Sequence, residues 1–351
     1  MKISSRYLAP WLGLFFGLIL SCLLSLFFKE NPLHVLNVLV TSFYSSKFDF
    51  GLTLFYTTCL IFSGLAFSIP LKAGLFHIGA EGQILFAAFA AAYFGSSLNL
   101  PWHLSLLVML LGTLLTGFAC AAIIALFKIY RNAHEVVVAI MLNFILAALS
   151  TWLTVSYLQN PNSQNPETAL IQETFQFLKS DFLKNYFDQS AVSSIFLLAI
   201  VLCILIHLFE NKTILGYQMR AFGANPKAAE RIGLSKAKMI LLSLGLAGIF
   251  SALAALNEVL GNSFQYKIGF SPQYGFLGIA VALLARQNAI GIIFSAFLMA
   301  CLHKGASDLD LETQFLTRDF SKILQALIIF SVAASYYFVE KYSLNRKKMN
   351  E

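Results

Sequence analysis

Apolar stretches long enough to cross a lipid bilayer recur along almost the whole chain, and no other feature constrains its fold so tightly. A spanning helix needs about 20 apolar residues. By that rule the segments near 8–28, 51–71, 82–99, 103–127, 135–158, 191–209, 239–260 and 319–338 read as spans. Two shorter runs, 274–285 and 288–303, are too short to cross comfortably without tilt or help. Together with the glycine-rich break at 72–82 they point to discontinuous helices. Broken backbone at membrane depth survives only where protein buries it or a cavity is lined.

Composition agrees. AVILMFWYC make up 58% of the residues and only 12% are charged, about half the usual charged share. A soluble domain of 351 residues needs more polar surface than this, and disorder has the opposite signature. The expected fold is an all-α polytopic membrane protein with about ten transmembrane segments, some broken or short.

Counting the two short runs gives even parity, which puts both termini on one side. Lys2, Arg6, Lys341, Arg346, Lys347 and Lys348 mark that side as cytoplasmic. Loops on the same side then hold Lys72, Lys128, Arg131 and the basic stretch 212–238, and the inner segments carry twice as many Lys and Arg as the outer ones. Ten spans divide into five and five, and an odd number per half gives the halves opposite orientation, the parity of an inverted repeat. The first apolar run is too long for a signal peptide and lacks an A-x-A site, so it reads as an uncleaved helix.

The net charge of +7 follows from topology and does not call for a nucleic-acid partner. The five cysteines lie in apolar segments without a CxxC pair, so they read as small buried hydrophobes. No G-x-x-x-x-G-K-[ST] loop occurs, the six histidines lack ligand spacing, and no nucleophile elbow or paired-carboxylate motif stands out. Catalytic residues, a metal site and a cofactor are therefore not expected.

Four segments carry chemistry. AGLFHIGAEGQ at 73–83 sets three glycines and Glu81 between two apolar helices. Glycines let a helix break and backbones approach, and a carboxylate near membrane depth marks a pathway or a buried pair. The plainer reading is a cytoplasmic turn with a solvated Glu81. In HEVVVAIMLN at 134–143, Glu135 stands at the inner mouth of a span and Asn143 lies two to three turns deeper. Asn143 either faces a polar path or bonds a neighbouring helix.

The third segment is the inner loop 210–238. Asn225 can cap a short helix with Pro226 in its first position and Gly233 ending it, and Ser235 can cap the next span. A two-turn helix carrying Lys227, Glu230 and Arg231 is either a docking piece or an amphipathic connector. In the fourth, Glu258 lies near the outer end of its span, in the path or solvated at the interface. Pro272, Gly275 and Gly278 precede a short helix rich in small residues, which suits a half-helix at the protein centre.

Together these segments resemble the permease subunits of bacterial ABC importers of the branched-chain amino acid/ribose type, in the nucleoside (simple sugar) branch. FHIGAEGQ at 76–83 matches that branch's F-N-I-G-A-E-G-Q, and HEVVVAIMLN matches N-E-V-x-x-T-L-M-L-N. E-V-L-G followed by GFSPQYGFLGIAVALL is a third match, and residues 223–234 resemble G-x-N-x-x-A-A-x-x-x-G-I with Leu234 at the last position. The four stand in order across roughly 50–340. His77 and His134 replace asparagines, and Leu277 stands where a polar residue is common. If those positions touch ligand, the cargo departs from the branch's norm.

The resemblance implies a single transmembrane permease domain over 1–351. Its parts are a first span and outer amphipathic segment (1–50), a permease core (51–340) and a cytoplasmic basic tail (341–351). It implies a multi-pass protein of the bacterial cytoplasmic membrane that is not itself an enzyme, with ATP hydrolysed on a cytoplasmic ABC ATPase. The other implied partners are a second homologous permease subunit, an extracytoplasmic substrate-binding lipoprotein and membrane lipid. Phe76, His77, Glu81, Gln83, Asn143 and Glu258 would line or shape the path. Asn225, Pro226, Ala229, Glu230, Arg231 and Gly233 would form the helix that couples to the ATPase. The implied cargo is a purine nucleoside. A monosaccharide or a branched-chain amino acid is the alternative, and an ion-coupled secondary transporter or a membrane enzyme is a different class.

Overall fold

The computed structural model describes residues 5–98, 101–172, 175 and 181–313, with isolated positions between 323 and 335. The tail at 341–351, and all but isolated positions of the span read at 319–338, lie outside the described residues. Among the described residues the regular elements are helices, with two isolated β-bridges and no strand. They run α1 (Ser5–Phe27), α2 (Pro32–Thr41), α3 (Lys47–Lys72), α4 (Ala80–Ser97), α5 (Trp102–Arg131), α6 (Glu135–Leu153), α7 (Asp181–Tyr186), α8 (Ile195–Lys212), α9 (Ile214–Ala224), α10 (Pro226–Arg231), α11 (Lys236–Glu258), α12 (Tyr274–Leu284) and α13 (Ala289–Glu312). α6 and α11 each end in a π-helical turn, Thr154–Leu158 and Val259–Ser263.

Among the described residues, six helices are long and apolar enough to cross a membrane: Lys47–Lys72, Trp102–Arg131, Glu135–Leu158, Ile195–Lys212, Lys236–Ser263 and Ala289–Glu312. The last corrects the reading of 288–303 as a run too short to cross, because α13 continues through His303, Lys304 and Asp308 for 24 residues. Those polar residues ended the apolar run, but they do not end the helix. Lys304 pairs with Asp49 at 2.9 Å and with Asp308 one turn on, so its charge is compensated where it is buried.

The chain divides into two compact units, Met1–Tyr56 with Phe297–Glu351, and Thr57–Ala296. In the first, α2 starts on Asn31, whose side chain accepts from the Leu33 N–H at 2.9 Å, with Pro32 in the first helical position. Val35, Val38 and Leu39 of α2 are buried together with Ala306 and Leu309 of α13.

The second unit is built around α4, which is buried on nearly every face by α5, α6, α11 and α12. A helix surrounded in this way needs small side chains, and the sequence supplies Gly82, Ala87, Ala88, Ala90, Ala91, Ala92 and Gly95. α5 and α11 cross so closely that a Cβ on Gly117 would stand 2.3 Å from the Gly248 carbonyl oxygen. Only glycine permits that approach. The outward faces are apolar, with Val137, Met141 and Phe144 of α6 and Leu197, Val201 and Leu205 of α8 all exposed.

The sequence assigns no role to the loop 159–190; its first part, 159–172, is fastened to the segment after α11. Thr168 N–H donates to the Tyr266 carbonyl at 3.0 Å and Ile171 N–H to the Phe264 carbonyl at 2.8 Å. The buried Tyr266 hydroxyl reaches Ser150 of α6 at 3.0 Å.

Candidate functional site

The break between α3 and α4 runs from residue 73 to 79 without helical structure, as the glycines there predict. Side chains of α4 and α6 meet some of its polar groups. Asn143 of α6 acts as a clamp: its Oδ1 accepts from Gly82 N–H at 3.0 Å, and its Nδ2 donates to the Ile78 carbonyl at 3.0 Å. One amide thus satisfies an orphan donor in the first turn of α4 and a carbonyl in the break. Of the two sequence readings of Asn143, the bond to neighbouring backbone is the one observed.

Glu81, 8% exposed, is no solvated turn residue. Its Oε2 accepts from Gly275 N–H in the first turn of α12 at 2.7 Å, and its carboxylate is also hydrogen-bonded to the Ser271 side chain. A Cβ on Gly275 would stand 2.3 Å from the Glu81 nitrogen, so the first turns of α4 and α12 touch backbone to backbone. Gly275 and Gly278 therefore lie inside the short helix, which starts at Tyr274, and do not precede it.

His77 and Gln83 are 1% and 0% exposed. The Nε2 of His77 lies 3.2 Å from the Gln83 Oε1, which also accepts from Ser251 of α11 at 3.1 Å. His77 Nδ1 and Gln83 Nε2 are buried without a partner. Phe76 is 39% exposed, its ring edge-on to Phe67 at 5.0 Å, and its N–H points at Glu135 Oε1 at 3.5 Å. Glu135 in turn pairs with Lys128 at 2.7 Å.

The structure thus brings Phe76, His77, Glu81, Gln83 and Asn143 together around one break. Glu258 stands apart from them, two turns beyond Ser251 on α11, or ~10 Å along the axis. It is 4% exposed and bonded by Asn262 Nδ2 at 2.9 Å.

The loop 210–238 holds the two caps its sequence predicts, with the further helix α9 before them. Asn225 Oδ1 accepts from Ala228 N–H at 3.1 Å, Pro226 opens α10, and Gly233 follows with a φ of +90°. Ser235 Oγ accepts from Lys238 N–H at 3.3 Å and caps α11. Glu230 and Arg231 are exposed, while Ala229 is buried.

Sequence reasoning missed the link from this loop to the break. A Cβ on Gly223, at the end of α9, would stand 2.1 Å from the Lys72 carbonyl oxygen. Only a bare glycine backbone lets α9 lie against the first residues of the break. Beside that contact, Lys72 pairs with Glu210 of α8, and Arg220 of α9 donates to the Glu210 main-chain carbonyl. The available signal was Glu210 itself, a carboxylate near the end of an apolar run. Among the described residues no group of three or more His, Cys, Asp or Glu side chains is placed to hold a metal ion.

The family model for the branched-chain amino acid transport system permease component matches residues 48–333, which takes in the break, the clamp and the inner loop alike. The chain belongs to this permease family. It is 30% identical over 338 residues to the guanosine ABC transporter permease protein NupP of Bacillus subtilis, covering 96% of this chain and 95% of that one. It is 30% identical over 343 residues to the nucleoside ABC transporter permease protein NupB of Lactococcus lactis, covering 95% and 92%. The glucose ABC transporter permease protein TsgB13 of Haloferax volcanii is 28% identical over 315 residues, covering 88% and 82%. The chain is thus an ABC transporter permease, a multi-pass membrane subunit whose family role is transport.

Proposed function

We propose that this permease imports purine nucleosides. What carries the reading is its end-to-end similarity to relatives named for guanosine and for nucleosides. In this reading the whole chain, 1–351, is one permease domain with both termini cytoplasmic and about ten crossings in two inverted halves of five. It works with a second homologous permease, a cytoplasmic ABC ATPase that hydrolyses the ATP, and an external binding lipoprotein that delivers the cargo.

α10 is the piece that sits in the ATPase groove. Its movement reaches the break through α9, by the Gly223 contact with Lys72 and the Lys72–Glu210 pair. Opening the break exposes His77 Nδ1 and Gln83 Nε2, an acceptor and a donor that lack partners while it is closed. A nucleoside base or ribose offers matching groups, and the neighbouring Phe76 ring offers a stacking face. Glu81 and Asn143 hold the two helix starts that frame the opening, and Glu258 shapes the path further along α11.

A monosaccharide cargo is the second reading, favoured by the similarity to the glucose permease. Uptake of labelled guanosine and adenosine, measured in cells with and without the gene, separates the two. The nucleoside reading expects uptake to fall on deletion and to be competed by unlabelled nucleosides but not by ribose, glucose or leucine. Unchanged nucleoside uptake in cells without another route would rule it out.

A further inference from the structure

At one end of the second unit, the ends of α3, α8 and α12 and the start of α13 surround a pocket of about 480 Å3. That volume lies in the range of ligand-binding pockets. Lys72, Arg220 and Arg286 stand in its wall against one carboxylate, Glu210. The carboxylate is engaged by Lys72 and the Glu210 carbonyl by Arg220, so the pocket keeps an excess of positive charge. Asn288 adjoins it as the cap of α13, its Oδ1 accepting from Ile290 N–H at 3.0 Å. The positive end of a 24-residue helix therefore adds to the field.

The surroundings select the kind of anion. Leu205 and Leu208, on either side of His207 in the pocket wall, are 51% and 46% exposed. On α13, Ile290 and Phe294 are 39% and 74% exposed. A cationic pocket at helix ends, with bare apolar side chains leading away along two membrane-length helices, fits a molecule with an anionic head and hydrocarbon tails.

We propose that this pocket binds the phosphate headgroup of an anionic phospholipid, whose acyl chains lie on the exposed residues of α8 and α13. Guanidinium and ammonium groups match phosphate oxygens with charge-assisted hydrogen bonds. The bound headgroup neighbours the Lys72–Glu210 pair, and its occupancy stiffens the link between α9 and the break. The site stands whatever solute the permease carries.

Native mass spectrometry of the full chain in detergent tests this, by titration with phosphatidylglycerol, with phosphatidylcholine and with inorganic phosphate. Phosphatidylglycerol is expected to bind more tightly than phosphatidylcholine, and Arg286→Gln to weaken it about fivefold, the loss of one basic residue at a membrane surface. Asn211→Asp, which sets a negative charge in the same wall, is expected to act in the same direction. Lys238→Gln, at an exposed residue outside the pocket, is expected to change nothing. Equal binding of the two lipids, or equal loss in Lys238→Gln and Arg286→Gln, would overturn the proposal. Inorganic phosphate binding as tightly as phosphatidylglycerol, and lost in Arg286→Gln, would assign the pocket to a free anion instead.

Discussion

The carboxylate of Glu81 accepts the N–H of Gly275 at 2.7 Å, so the second residue of one helix caps the second residue of another. Two buried helix starts meet at this point. A carboxylate is favoured at the positive end of a helix, and here a single one serves the starts of both α4 and α12.

Replacing Glu81 separates capping from charge. Glu81→Gln keeps an oxygen acceptor for Gly275 and is expected to retain most thermal stability and at least about half of transport. Glu81→Ala leaves a buried N–H unmet, at a cost of about 1–3 kcal/mol. Thermal unfolding of the detergent-purified protein reads the difference. Equal loss in the two variants would show that the ionised carboxylate, and not the cap, is required.

Asn143 uses both ends of its amide, so it tolerates no isostere. Asn143→Asp retains the acceptor for Gly82 but turns an oxygen towards the Ile78 carbonyl. Asn143→Leu leaves both backbone groups unsatisfied, roughly 2–6 kcal/mol in sum. Both are expected to lower the amount of folded protein in the membrane, measured by fluorescence size-exclusion profiles. A wild-type profile for Asn143→Leu would contradict the clamp.

The Lys72–Glu210 pair lends itself to a double-mutant cycle. Lys72→Met strands a buried carboxylate, at a cost of about 3 kcal/mol or more. Glu210→Gln is expected to be milder, because a lysine freed of its partner reaches water along its flexible stem. The double variant is expected to recover stability relative to Lys72→Met. Additive losses in the cycle would mean that the pair contributes nothing as a unit.

Ala229→Pro tests the docking role of α10. Proline removes the bond from Ala229 N–H to the Asn225 carbonyl, now 3.0 Å, in a helix of only six residues. Uptake is expected to vanish while the chain remains in the membrane, and a co-purifying ATPase is expected to be lost. Normal uptake by a well-expressed variant would remove α10 from the coupling route.

The parts legible in the sequence are those with local signals. Asn225, Pro226 and Ser235 announce their caps within four residues of the groups they bond, and the glycines at 74, 79 and 82 announce the break. For Glu81 the sequence left a pathway or buried carboxylate beside a solvated turn residue, and gave no sign of the cap of α12, since Gly275 lies 194 residues away. The Lys72–Glu210 pair, 138 residues apart, left no pattern for the same reason. Hydropathy also misled at α13, where Lys304 and Asp308 read as a span's end although they pair inside the helix. The fastening of 159–172 onto 264–268 was invisible because backbone bonds carry no residue signature.

The most direct measurement is transport by proteoliposomes holding this chain with its companion permease, ATPase and binding protein. Accumulation of labelled guanosine that requires both ATP inside and binding protein outside is the expected result. Accumulation driven by a proton or sodium gradient without ATP, or ATP-driven transport of glucose with guanosine ignored, would contradict an ATP-driven nucleoside importer.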